Sequence, residues 1–180
     1  MKQKIIEKIE IPEGVSCSYE NGILKCQKSG AETSREIKEP KIKIKIEGQE
    51  IILEAKKGNK SDFRLIKTYA AHIRNLFWGL SKKFTYILEI CHVHFPVTLK
   101  VENDVLTINN FLGEKTPRHA EIIPNVHVEI KGSKIIVSSS DKEAAGQTAA
   151  NFEKATKIRS RDRRIFQDGI FLVEKPGREI

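Results

Sequence analysis

Along the chain, short stretches of alternating apolar and polar positions are twice interrupted by a longer stretch with helical spacing. Val15 to Tyr19 and Ile23 to Gln27 flank Glu20-Asn21-Gly22, and an Asn-Gly tip between apolar-containing runs predicts an antiparallel hairpin. Residues 28–40 are polar and carry Gly30, Ser34 and Pro40, so they read as a loop with room for one irregular strand. Lys41-Ile42-Lys43-Ile44-Lys45-Ile46 then alternates strictly, isoleucines on one face and lysines on the other. Glu47-Gly48-Gln49 turns the chain, and Glu50 to Lys56 returns as the partner strand. From there Phe63, Ile66, Tyr69, Ala70, Ile73, Leu76, Phe77 and Leu80 recur at helical spacing, with Ser61 or Asp62 as the expected cap. Trp78-Gly79 marks the approach to a domain edge.

The same order of signals then repeats. Phe84 to His94 is a strand-rich run leading to Phe95-Pro96. Val97 to Val101 and Val105 to Ile108 flank Glu102-Asn103-Asp104; Pro124 to Ile130 and Lys134 to Ser138 flank Lys131-Gly132-Ser133. Asp141 is placed to cap a second helix with Ala144, Ala145, Thr148, Ala149, Phe152 and Ala155 on its inner stripe. Matched landmarks lie about 80 residues apart, which predicts duplication of a four-strand and one-helix unit. The expected fold class is α+β: two tandem similar domains, residues 1–82 and 83–180, each an antiparallel β-sheet with one α-helix packed on a face. The second helix carries alanine and glycine where the first carries bulky residues, so either its sheet or another backbone can approach it closely. The second copy also has a distinctive loop, Asn109 to His119, whose glycine, proline and basic residues fit a surface loop able to touch phosphate.

Charge changes this picture at one place. The chain is net +8, and from Lys154 to Arg164 six basic residues face one acid, Asp162, giving that run +5. Charge this dense beside a folded helix points to a polyanion, most simply nucleic-acid phosphate, against the plainer reading of a solvated terminus. By halves, residues 1–84 hold 18 basic and 11 acidic residues (+7), and residues 85–180 hold 14 and 13 (+1). A local cluster outweighs a total when screening acts over roughly 8 to 10 Å, which keeps the second domain as the principal site. Lys41, Lys43 and Lys45, with Lys56, Lys57 and Lys60, form a secondary candidate surface.

Other chemistry is sparse. Cys17, Cys26 and Cys91 are an odd number without C-x-x-C spacing and read as reduced structural thiols. Cys91-His92-Val93-His94 resembles a metal cluster, but in a strand its two histidines would face away from Cys91. The five histidines are scattered, with no Gly-rich phosphate loop and no H-E-x-x-H motif, so an enzyme is the weakest reading. The first residues, MKQKIIEKIEIPEG, carry charges through their apolar run and resemble neither a signal peptide nor a membrane anchor, so a cytoplasmic protein is expected. A stand-alone nucleic-acid-binding regulator remains an alternative from composition alone.

Several blocks resemble one known family, the sixth protein family of the large ribosomal subunit, in its archaeal and eukaryotic branch. They are Ile11-Pro12-Glu13-Gly14-Val15, His94-Phe95-Pro96, Asn110-Phe111-Leu112-Gly113-Glu114-Lys115, Gly146-Gln147-Thr148-Ala149-Ala150-Asn151 and Arg161-Asp162-Arg163-Arg164-Ile165-Phe166-Gln167-Asp168-Gly169-Ile170. The resemblance covers nearly the whole chain. It implies a structural ribosomal protein that binds large-subunit ribosomal RNA near the sarcin-ricin loop and the translational GTPase docking region, mainly through its second domain. Implied RNA contacts are Lys115, Arg118, Gln147, Asn151, Lys154, Lys157, Arg159, Arg161, Arg163 and Arg164. Implied neighbours are large-subunit proteins and, nearby, translational GTPases. No catalytic residue, cofactor, membrane or small-molecule substrate is implied.

Overall fold

The turns carry the first sign of duplication. In the computed structural model, which describes residues 3–28, 30–93, 95–162 and 164–179, the chain divides into two units, Met1–Lys82 and Lys83–Ile180. Each contains one hairpin whose two tip residues both have positive φ: Asn21 (51°) and Gly22 (79°) in the first, Asn103 (49°) and Asp104 (58°) in the second. Each also contains a hairpin with positive φ at its first tip residue alone, Gly48 (61°) and Gly132 (60°), where only glycine is free of a Cβ penalty. Two turn types therefore recur in the same order.

The first unit runs β1 (Gln3–Glu10), β2 (Ser16–Glu20), β3 (Ile23–Lys28), β4 (Ala31–Glu36), β5 (Lys43–Glu47), β6 (Glu50–Gly58) and α1 (Lys60–Ser81). Its strands form two antiparallel sheets, β2-β3-β4 and β1-β6-β5. Helix α1 packs on strands of both and buries Ile66, Ala70, Ile73, Leu76 and Phe77 against Leu24, Ile51 and Leu53. Each of the larger side chains, Ile66, Ile73, Leu76 and Phe77, contributes roughly 1.5 to 3 kcal/mol over its exposed state. Phe63, expected on the same face, is 47% exposed.

The second unit runs β7 (Phe84–Cys91), β8 (Thr98–Glu102), β9 (Val105–Asn109), a 3-10 turn (Phe111–Gly113), β10 (Arg118–Glu121), β11 (His127–Lys131), β12 (Lys134–Ser139), α2 (Lys142–Ala155), β13 (Gly169–Lys175) and β14 (Arg178–Glu179). Its sheets are β10-β9-β8 and β11-β12-β7-β13-β14. The strand order β1-β6-β5 matches β7-β12-β11, and β2-β3-β4 matches β8-β9-β10. The α+β class with two similar domains thus holds, and the repeated unit has six strands in two sheets where four were expected.

The additional strands have physical reasons. β1 hides because its inward positions are Ile5, Glu7 and Ile9, and the acid breaks the apolar alternation; Glu7 is satisfied there by Lys67 Nζ (2.7 Å) and Arg74 Nη2 (3.2 Å) of α1. β4 has almost no apolar residue and forms on the backbone ladder offered by the edge of β3. The cap of α1 is Asn59, two positions ahead of Ser61: Asn59 Oδ1 accepts from the Asp62 amide (2.9 Å) and Asp62 Oδ2 accepts from the Asn59 amide (2.8 Å). Asp141 caps α2 as expected, accepting from the Glu143 amide at 2.9 Å.

Two further expectations change. β7 ends at Cys91, so the alternate-face argument for His92 does not apply, and His94 lies outside the described residues. Among the described residues no three His, Cys, Asp or Glu side chains are grouped to hold a metal ion, and no helix is long and apolar enough to cross a membrane. The loop after β9 is also more than surface: Phe111 (1% exposed) and Leu112 (8%) plug the core, with Leu112 held at φ +51°. The small residues of α2 serve close approach to its own sheet, since a Cβ on Gly146 would stand 3.0 Å from the Tyr86 hydroxyl of β7.

Candidate nucleic-acid interface

Helix α2 is fixed by Ala145, Thr148, Ala149 and Phe152, all buried where the helix packs on strands of both sheets of its unit. Its C-terminal carbonyls would be left without partners at residue 155. Two devices satisfy them. Thr156 Oγ1 donates to the carbonyls of Phe152 (3.4 Å) and Glu153 (3.3 Å) and accepts from the Ile170 amide (2.9 Å). Arg118 donates from Nη1 to the carbonyls of Ala155 (2.9 Å) and Lys157 (3.3 Å), placing a cation at the negative end of the helix.

Arg118 is held on its other side by Glu114, with Nε at 2.8 Å and Nη2 at 2.6 Å from the two carboxylate oxygens, and its guanidinium lies 4.4 Å from the centre of the Phe111 ring. Four hydrogen bonds from the five N–H groups of the guanidinium are thus made inside the unit. The Arg118 guanidinium, by hydrogen bond and by charge, holds the Glu114 carboxyl below the usual carboxylate range, with Arg161 adding to the field. Lys115, in contrast, is exposed on the bend between them.

Residues 156–168 then cross from α2 to β13. The segment is pinned at both ends, by the Thr156–Ile170 bond and by Glu153 Oε1, which accepts from the Leu172 amide at 3.0 Å. Ile158 and Phe166 pack against the core. Between them Asp162 organises a turn: its carbonyl accepts from the Ile165 and Phe166 amides, and its carboxylate accepts from the Arg164 amide (2.9 Å) and side chain (2.7 Å). Hydrogen bonds from the Arg164 side chain and then its backbone hold the Asp162 carboxyl below its usual range. Arg161 lies over the Phe166 ring at 4.9 Å.

Every described cation of the run is exposed: Lys154, Lys157, Arg159, Arg161 and Arg164. Arg163 lies outside the described residues. Among those described, Lys154, Lys157 and Arg159 have no carboxylate partner, whereas the Arg164 side chain, 89% exposed, pairs with Asp162. On α2, Gln147 Nε2 donates to Asn151 Oδ1 (2.9 Å), and Asn151 Nδ2 donates to the Glu121 carbonyl (3.1 Å), tying the helix to β10 while Gln147 stays exposed. The arrangement offers point charges, planar forks and two side-chain amides to a polyanion.

On the first unit, Lys43 and Lys45 are exposed on β5 and Lys56 on β6. Glu54, paired to Lys4 and influenced by Lys45 and Lys56, stands among them and reduces that field; the Lys57 side chain lies outside the described set. Sequence reasoning overlooked Glu114, Glu153, Thr156 and Asp168. Only the i,i+4 spacing of Glu114 and Arg118 carried a signal.

The family described as Ribosomal protein L6 matches residues 95–169. Over 175 residues and 97% of its length, the chain is 45% identical to the large ribosomal subunit protein uL6 of Methanococcus vannielii, covering 96% of that protein. It is 42% identical to the protein of the same name from Methanosarcina mazei and 39% identical to that of Methanothrix thermoacetophila, covering 99% of each.

Proposed function

From its membership of the ribosomal protein L6 family, to which this chain belongs as a structural, non-enzymatic constituent of the large ribosomal subunit, we propose that its second unit is the principal binder of large-subunit ribosomal RNA. The observation that carries this is the pinned basic segment. Exposed cations on a backbone tied at both ends lose little entropy when phosphate arrives, and each released counterion adds to affinity. Lys154, Lys157, Arg159, Arg161, Arg163 and Arg164 contact phosphate; Lys115 adds a charge from the neighbouring loop; Gln147 and Asn151 meet sugar or base edges. Arg118 acts from behind this surface, holding the loop and the helix end together. The finer placement belongs to the same proposal: the RNA is the region around the sarcin-ricin loop, beside the docking site of translational GTPases, and neighbouring large-subunit proteins meet the remaining surfaces.

The test is a filter-binding titration of a sarcin-ricin-loop RNA fragment against salt, with Arg159, Arg161 and Arg164 changed to alanine. The slope of log affinity on log salt should fall by roughly 0.9 unit for each lost phosphate contact, with folding unchanged. Wild-type affinity and slope in the triple variant would remove the segment from the interface. A crosslinking map on the large subunit reads the location itself, and equal competition by DNA would favour a general nucleic-acid binder.

A further inference from the structure

We propose that the groove beside the basic segment receives one unpaired guanine base of the bound RNA, read by the carboxylate of Asp168; this rests on the RNA-binding reading above. The groove encloses about 960 Å³ within the second unit. Cys91, His92 and Val93 at the end of β7 form one wall, and Glu153, Lys154 and Thr156 at the end of α2 the other, with Phe166 to Asp168 closing it. Asp168 is 3% exposed, yet its Oδ2 has no hydrogen-bond partner among the described residues.

Buried carboxylate oxygens are costly unless they accept hydrogen bonds. The nearby amides do not serve this one: Ile170 N–H goes to Thr156 and Leu172 N–H to Glu153. The walls supply Lys154 and Lys157, both exposed and without a carboxylate partner among the described residues. A ligand that completes this site carries an anion for the lysines and N–H donors for the acid, which is the polarity of a nucleotide with its phosphate outward and its base inward. Guanine alone among the four bases sets two donors side by side, N1–H and N2–H, and so matches a carboxylate. Adenine and cytosine place an acceptor nitrogen beside their amino group, and uracil flanks its N–H with two carbonyls; each sets lone pairs against the acid.

The experiment uses the full chain and three short single-stranded RNAs: a uridine oligomer, the same oligomer with one central guanosine, and the same with inosine, which lacks the N2 amino group. All three have the same phosphates, so their salt slopes should agree. The guanosine oligomer should bind roughly tenfold more tightly than the uridine one, with inosine between. Asp168→Asn, which replaces an acceptor with an amide, should abolish the guanosine advantage while keeping uridine-oligomer affinity and the folded amide spectrum. In the wild type the guanosine-specific shifts should fall on Cys91 to Val93 and Gln167 to Ile170. Equal affinity for all three oligomers, or a guanosine advantage that survives Asp168→Asn, would overturn the pocket while leaving salt-sensitive RNA binding intact. Absence of binding by every oligomer would overturn the pocket, while the sarcin-ricin-loop titration decides the RNA reading separately.

Discussion

Arg118→Ala separates a structural clasp from a phosphate contact. The substitution removes two charged hydrogen bonds to the end of α2, a bidentate pair with Glu114 and a cation held over a buried ring. Arg118 is 25% exposed and Glu114 38%, so water recovers part of each loss. Taking about 1 kcal/mol for each carbonyl bond, about 0.5 for the ion pair and about 0.5 for the ring contact gives roughly 3 kcal/mol. For a unit of 98 residues (180 less 82) that is a fall of roughly 12 to 20 °C in its melting temperature. Arg118→Lys keeps the charge but not the fork, and should lose more than half as much. Urea unfolding followed by far-UV circular dichroism reads both units, whereas emission from the sole tryptophan, Trp78 on α1, reads the first. The loss should therefore appear in dichroism and spare the fluorescence transition. If Arg118→Ala unfolds within about 0.5 kcal/mol of wild type while its RNA salt slope drops by about one unit, Arg118 is a phosphate contact and the clasp argument fails.

Two further outcomes follow from the first unit. Glu7 is held below the usual carboxylate range chiefly by the hydrogen bond from Lys67, with Arg74 assisting. Its contribution is therefore full above the unfolded-state value and lost as pH falls through the lower folded value, so Glu7→Gln should cost about 1 kcal/mol at neutral pH and flatten the acid limb of fluorescence-monitored stability; an unchanged acid limb would refute this. Cys17 and Cys26 face each other across β2 and β3 with sulfurs 2.9 Å apart, at a non-hydrogen-bonded pair where cross-strand Cα atoms come closest. Their hydrogen bond lowers the Cys17 thiol and raises that of Cys26, so Cys17 ionises first and attacks an added small-molecule disulfide. Cys26 then displaces the small thiol, two small thiols are released, and the protein loses the mass of two hydrogens; continued alkylation of both cysteines after such treatment would sink the prediction.

What could be read from sequence follows from what each element relies on. β5 is visible because Ile44 and Ile46 alternate with lysines, and the hairpin tips because Asn21-Gly22 and Gly132 have few other uses. β1 and β4 are held by partners far along the chain, Lys67 and Arg74 for Glu7 and the β3 edge for Ala31–Glu36, and no local pattern records them. At the candidate site the cations are legible as letters. Their arrangement is not, because the carbonyls that engage Arg118 come from the end of a helix 37 residues later.

The difference between the two copies has a structural origin at one strand edge. In the first unit β1 is an edge of its sheet, and it carries Lys4 and Lys8 in ion pairs with Glu54 and Glu50, charges that discourage further pairing. In the second unit the matching strand, β7, is interior because β13 pairs along its free side from Gly169 to Glu174. To reach that edge the chain must return from the end of α2, and residues 156–168 are the return. A strand on the far side converts what would be a frayed basic tail into a loop closed at both ends, with Ile158 and Phe166 as inner anchors and the cations left outside. Loop closure is thus made by sheet pairing before any RNA arrives, and the ordering entropy that a free tail would lose on binding is already lost in folding. On this argument, cutting the return loop from its strand should weaken RNA binding even with every basic residue retained.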